Sequence, residues 1–222
     1  FLGMAEGEPI SVLSYEGPFG VGYCTAIWKP AESTEGNPSG GKAHPYVKLA
    51  RLSLEHYFKT KKVLDPSEAF LLSPQRDLWD KRRGCFVSIK KLDGALRGCI
   101  GTIRPARENL ASEIIHNALA AAFEDPRFMP LRQEELAAVK FSVDVLSDLE
   151  PVTSIDELDP KVYGVVVEKG LRKGVLLPDL EGVDTVEYQL DIAAQKAGIS
   201  TLNGAKIYRF TVERYEEVKE DQ

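Results

Sequence analysis

The segment Gly84–Thr102, GCFVSIKKLDGALRGCIGT, constrains the fold more than any other stretch. Two runs rich in β-formers flank Asp93-Gly94, a dipeptide favoured where both loop positions of a hairpin need positive φ. With those two residues as the loop, Leu92 faces Ala95, Ile89 opposes Gly98, Ser88 opposes Cys99 and Val87 opposes Ile100. Strand alternation then puts Val87, Ile89, Leu96 and Ile100 on a core face. Ser88, Lys90, Arg97 and Cys99 share the other face.

Glycine is unusual inside a strand, because it costs backbone entropy and offers nothing to pack. Here Gly98 and Gly101 flank Cys99. In one reading they open the backbone to a ligand. Arg97 and Lys90 then lower the thiol's pKa and make Cys99 a nucleophile on an anion-binding floor. In the other, Cys99 is a packing residue and the glycines admit a neighbouring helix. Both readings stand at this stage. Cys85 falls on the core face as a small hydrophobe, and Cys24 lies in a separate N-terminal stretch.

No histidine is tied to Cys99 by sequence. His56 and His116 read as solvent-facing, whereas His44 sits at a loop-to-helix junction of the kind that borders a cleft. In EDPRF, Asp125 and Arg127 form either a turn ion pair or a second charged wall of the same cleft. Asp144 admits either role. The candidate site is therefore Cys99 and Arg97 for chemistry, with Gly98, Gly101, Lys90, His44, Asp125 and Arg127 for binding. No CxxC pair and no HExxH occur, which argues against a closed zinc site; no metal and no cofactor is expected.

Net charge is −6, which argues against general nucleic-acid binding. The charge is uneven: Arg76–Arg107 holds nine Lys/Arg and three Asp/Glu, a local +6 that leaves −12 elsewhere. Such a basic strip is either a solvated face or the site of an anionic ligand. Three cysteines give no disulfide framework. There is no membrane-length apolar run and no signal-like start, so a reducing cytoplasmic setting is expected. The first residue is Phe1, which suggests a fragment or a processed product.

Pro30–Ala43, PAESTEGNPSGGKA, lacks any large apolar residue and reads as a flexible linker. It separates a head, 1–29, from a body, 44–222. The head alternates like strands but is too short to bury its own core. In the body, helices are predicted at His44–Lys59, Ala106–Glu124 and Asp184–Ala197, with a helical turn at Gln75–Arg83. The 106–124 helix would bury Leu110, Ile114, Ala118 and Ala121 and turn Glu113, His116 and Asn117 away. The last helix carries a capping-box pattern in Asp184 and Glu187. Strands are predicted at Glu68–Ser73, in VKFSVDVL, in a second hairpin turning near Lys169–Lys173, and as one long last strand, KIYRFTVERYEEV. Hairpins with helices between them predict an α+β fold with a mixed, mostly antiparallel sheet and flanking helices.

LRGCIGT, ENLASEIIHNALAAAFEDPRF, SVDVLSDLEPV, YGVVVE, GVLLP and VDTVEYQLDIAAQKAGI, in that order, resemble the AMMECR domain family over about His44–Tyr215. STLNGAKIYRF departs from the family's pattern before the last strand. The resemblance implies two subdomains with a cleft between them, and Arg97, Gly98, Cys99 and Gly101 at or near that cleft. It implies no reaction. In bacteria and archaea, such chains resemble component A of the three-part AmmeMemoRadiSam system, whose other parts are Memo-like and radical-SAM proteins. LSYEGPFGVGYCTAIW is similar to the end of a Memo-like, LigB-type class III extradiol dioxygenase domain, which would make 1–29 the remnant of an upstream domain. Two functions are therefore in view: thiol-based catalysis or an accessory role beside those partners, and a non-catalytic module for an anionic small molecule, RNA or a protein partner.

Overall fold

The β-rich runs around Asp93-Gly94 do pair, and the rest of the body is arranged about them. The computed structural model describes residues 10–16, 23–28, 44–72 and 75–217. The chain divides into two units, Phe1–Gly40 and Gly41–Gln222. In the first, β1 (Ile10–Glu16) and β2 (Tyr23–Trp28) pair antiparallel, with Ile10 opposite Trp28 and Glu16 opposite Tyr23. The linker expected over 30–43 lies outside the described residues.

The second unit opens with α1 (Pro45–Thr60). Proline at its first position has no N–H to leave unpaired, and Lys61 in the left-handed region (φ 60°) ends it. The expected strand at Glu68–Ser73 is instead helical, as α2 (Pro66–Leu72). The Asp65 carboxylate accepts from the Ser67 N–H at 2.8 Å, and Pro66 follows as a helix starter. That start signal outweighs a short apolar run. A third short helix, α3 (Arg76–Asp80), leads into β3 (Cys85–Lys91) and β4 (Leu96–Gly101).

The central helix α4 (Leu110–Phe123) begins later than expected, at Asn109, whose side chain caps the Ser112 N–H. Leu110, Ile114, Ala118 and Ala121 are buried as predicted, but so are Glu113 and Asn117. Glu113 accepts from the Thr102 hydroxyl and from the N–H groups of Ala106 and Arg107, at 2.9 and 2.8 Å. Asn117 donates to the Cys85 carbonyl at 2.9 Å. A buried polar group is tolerated when it is paired: Glu113 ties the loop after β4 to the helix, and Asn117 ties the start of β3 to it.

Next come β5 (Val139–Leu146), β6 (Glu150–Pro151), β7 (Gly164–Lys169), β8 (Arg172–Leu176), α5 (Val186–Lys196), β9 (Lys206–Phe210) and β10 (Val212–Glu216). Thr185, not Asp184, caps α5 by accepting from the Tyr188 N–H. Within this unit the strands form two four-stranded sheets, ordered β10-β5-β3-β4 and β6-β9-β7-β8, with every pairing antiparallel. The α+β class is as expected.

The long last strand expected from the sequence is two strands in different sheets. Phe210 pairs with Gly164 in the second sheet, and Val212 with Leu146 in the first. The handover is at Thr211, whose N–H donates to the Ser147 hydroxyl at 2.9 Å while its carbonyl accepts from the Ser147 N–H. Ser147 itself lies where the chain leaves β5 for the second sheet.

Each sheet has its own core. Helices α1 and α4 cover one face of the first sheet through Val47, Leu54, Ile114, Ala118, Val87, Ile89 and Phe141. Helix α5 covers the second through Leu190, Ala193, Val165 and Val167. Leu146, Val166 and Phe210 form a small third cluster where the sheets meet. The face of the first sheet away from α4 is thereby left to look across at the second.

Candidate functional site

The β3–β4 pairing reproduces the expected register from Ile89–Gly98 through Ser88–Cys99 to Val87–Ile100. The turn does not. Gly94 N donates to Lys91 O and Lys91 N to Ala95 O, and among the four turn residues Gly94 alone takes a positive φ, 91°. Lys90 consequently pairs with Leu96, and the register slips by one between Ile89 and Lys90. Arg97 is the extra residue of a β-bulge.

The bulge exchanges two side chains. Leu96, expected in the core, is 37% exposed and lines the cleft with Cys99. Arg97, expected beside the thiol, instead pairs with Glu135 through two bonds of 2.8 and 3.1 Å and reaches the Pro130 carbonyl at 3.4 Å. Its guanidinium pulls the Glu135 carboxyl down to about 2. Arg97 thus fastens β4 to the 3-10 helix at Gln133–Ala138.

The two glycines serve packing. A Cβ at Gly98 would lie 2.1 Å from the Ala121 carbonyl oxygen, so α4 can approach only a glycine there. A Cβ at Gly101 would collide with the Phe86 ring, which lies on the cleft side. Gly98 faces α4 rather than the cleft, which corrects its expected place in the binding floor. His44 also stands apart. It accepts from the Tyr46 N–H at the start of α1 and stacks on Tyr215 at 4.0 Å. Tyr215 packs against the helical core, on the side away from the cleft, and burial lowers the His44 pKa.

Cys99, Lys90, Asp125 and Arg127 do come together. The Cys99 N–H donates to Asp125 Oδ2 at 2.9 Å, and the Cys99 carbonyl accepts from Arg127 Nη2 at 3.4 Å. Arg127 grips Asp125 at 2.9 and 2.8 Å. That guanidinium, helped by the backbone N–H groups of Cys99 and Arg127, holds the Asp125 carboxyl well below the usual carboxylate range. The Cys99 Sγ accepts from the Ser88 hydroxyl at 3.2 Å. Burial pushes the thiol up; Ser88 and Arg127 oppose the shift, while Asp144 and Asp125 add to it.

These groups open on a cavity of about 490 Å³ between the two sheets. Ser88, Cys99 and Ser142 form its polar floor, and Lys90, Arg127, Arg214 and Lys196 bring four cations to it. Arg214 is paired with the buried Asp144 at 2.7 and 3.1 Å, and Lys90 with Glu216 at 3.4 Å. The wall from the second sheet is apolar: Val175, Leu176, Leu177 and Leu180. Sequence reasoning missed Ser142, Arg214, Lys196 and this wall. Arg214 was legible as the residue alternating with Tyr215, but its place opposite Asp144 depends on the β10–β5 pairing. Among the described residues, no group of three or more His, Cys, Asp or Glu could hold a metal ion, and no helix is long and apolar enough to cross a membrane.

Two antiparallel sheets, one backed by α1 and α4 and the other by α5, facing one another across a cation-lined cleft with a thiol in its floor, define a two-lobed α+β cleft protein. The family model AMMECR1 matches residues 47–215, and the chain belongs to that family. A protein of Thermotoga maritima is 55% identical over 78% of this chain and 97% of its own length. A protein of Clostridium acetobutylicum is 46% identical over 97% of this chain, which spans 48% of that relative. The crystal structure of an uncharacterized protein from Pyrococcus horikoshii superposes with a TM-score of 0.70 at 31% identity, over 79% of this chain and 92% of the other.

Proposed function

We propose that the cleft is a receptor site for an organic anion with an apolar body. The observation that carries this reading is the meeting of four cations and an apolar wall in one cavity of about 490 Å³. That volume lies in the range of small-molecule sites. The anionic group meets Lys90, Arg127, Lys196 and Arg214, the body lies along Val175–Leu180, and Ser88, Cys99 and Ser142 offer hydrogen bonds. What supports a binding role over a nucleophilic one is the state of the thiol. Burial raises its pKa, Arg97 is engaged elsewhere, and two carboxylates stand near it. The neutral thiol is then a lining group.

The test uses anilinonaphthalene sulfonate as an amphipathic anion. One saturable site is expected, lost in Lys90→Met/Lys196→Met. Stoichiometric binding that survives both substitutions would place the probe elsewhere and sink the reading.

The further proposal is that this cleft serves Memo-like and radical-SAM partners, as component A of the AmmeMemoRadiSam set. Its support is the likeness of the head to the end of a Memo-like domain, together with a relative about twice the matched length. Co-purification of the three proteins is expected; no association at micromolar concentrations would count against it. A reducing cytoplasmic setting accords with Cys85 and Cys99 being free thiols.

A further inference from the structure

A second cavity, of about 580 Å³, lies at the start of α4 and shares no lining residue with the cleft. It is lined by Arg82, Ala106, Arg107, Glu108, Ser112 and His116. Its frame is held from within. Leu110 N donates to the Lys81 carbonyl at 2.8 Å, and Arg82 Nε to the Arg107 carbonyl at 3.1 Å. The buried Glu113 pins the N–H groups of Ala106 and Arg107. The segment before β3 and the loop after β4 are thus fastened together, with their arginines at one opening.

Two cations there lack a carboxylate partner, and one hydroxyl lacks a hydrogen bond. Among the described residues, neither Arg82 nor Arg107 has a salt bridge, although eleven other Lys or Arg side chains do. Ser112 is only 8% exposed and lines the cavity, and its hydroxyl has no hydrogen-bond partner. His116, one helical turn later, holds the Ser112 carbonyl through Nδ1 at 2.8 Å. A carbonyl can only accept, so Nδ1 carries the hydrogen.

We infer that this cavity is a binding site for a phosphate monoester, separate from the cleft. Two guanidiniums without a carboxylate partner match a doubly charged tetrahedral anion, since Arg presents a fork of donors to phosphate oxygens. The Ser112 hydroxyl supplies a donor at the cavity wall, and the first turn of α4 favours negative charge. Glu108 stands on the exposed rim and offsets one of the two positive charges. A monoester, with a second pKa near 6, sets nearly two negative charges against the two guanidiniums, whereas a diester carries one. The cavity exceeds a bare phosphate and leaves room for the organic part of a phosphorylated small molecule.

The test is calorimetric titration with phenyl phosphate, using diphenyl phosphate as the diester. One equivalent of phenyl phosphate is expected to bind. Arg82→Gln and Arg107→Gln should each weaken it by about tenfold or more, and Ser112→Ala by several-fold. Both arginines are exposed, so their substitution spares the core, and Arg107→Gln also keeps the bond from Arg82 Nε to the carbonyl at 107. Lys90→Met/Lys196→Met should leave this binding unchanged. The inference is overturned if nothing binds by about 1 mM, where affinity falls to roughly 4 kcal/mol. It is also overturned if the double arginine variant binds as before, or if the cleft variant loses the ligand. Equal affinity for the diester would overturn the monoester assignment and point to a phosphodiester backbone.

Discussion

Asp125 joins the end of α4 to the strand that carries Cys99, and its replacement by asparagine measures that joint. The carboxylate is 2% exposed and accepts four bonds: from the N–H groups of Cys99 and Arg127, and from Arg127 Nε and Nη2. The Arg127 side chain is 56% exposed, so solvent screens its share to about 0–1 kcal/mol. The backbone bonds matter more. An amide keeps one oxygen acceptor but turns an NH2 donor toward the second N–H, and a buried donor left unpaired costs about 1–3 kcal/mol. Asp125→Asn should therefore destabilise the protein by about 1–4 kcal/mol at pH 7 in urea unfolding followed by circular dichroism. The pH dependence is the sharper check. A carboxyl held low in the folded state stabilises it above the unfolded value of about 3.9, and that contribution fades as pH falls through this value toward the folded one. Protonated aspartate resembles asparagine, so the gap between wild type and variant should close from about pH 4 downward. A gap that stays constant from pH 7 to pH 3, or one below about 0.5 kcal/mol at pH 7, would refute the reasoning.

Two other substitutions bear on the same strand. Gly98→Ala drives a methyl into the Ala121 carbonyl of α4, and because backbone meets backbone the cost should reach the upper end of overpacking, about 3 kcal/mol by thermal unfolding. Arg97→Met leaves Glu135 without its guanidinium and should cost about 2–4 kcal/mol, yet shift the alkylation rate of Cys99 by less than about twofold. In a Cys24→Ser, Cys85→Ser background, that alkylation should show no midpoint below the ordinary thiol value of about 8.5. A lower midpoint that rises on loss of Arg97 would restore the activated nucleophile.

Much of this was legible because period-2 alternation and turn chemistry act over a few residues. The pairing of Ser88 with Cys99 follows from two β-rich runs and a turn signal, and the structure has it. The exchange of Leu96 for Arg97 was hidden because it takes two registers to produce. The Asp93-Gly94 turn closes as Lys91–Gly94, one residue out of step with the strands, and a bulge absorbs the difference. Alternation cannot report its own interruption. What decides which residue bulges is a partner far along the chain: Glu135 waits under β4, and Gly98 must meet Ala121. Thr211 was hidden in the same way. KIYRFTVERYEEV holds no glycine, proline or other turn residue to mark a break, and Ser147, at the point where the chain leaves β5, turns that run into two strands of two sheets. The cleft is made by that division. Phe210 stays with the second sheet while Arg214 crosses to Asp144 in the first, so the cationic wall and the apolar wall are joined at one threonine. A continuous strand there would place both walls in one sheet and leave no space between them. The site is therefore a property of how the sheets are split, which no local pattern around Cys99 encodes.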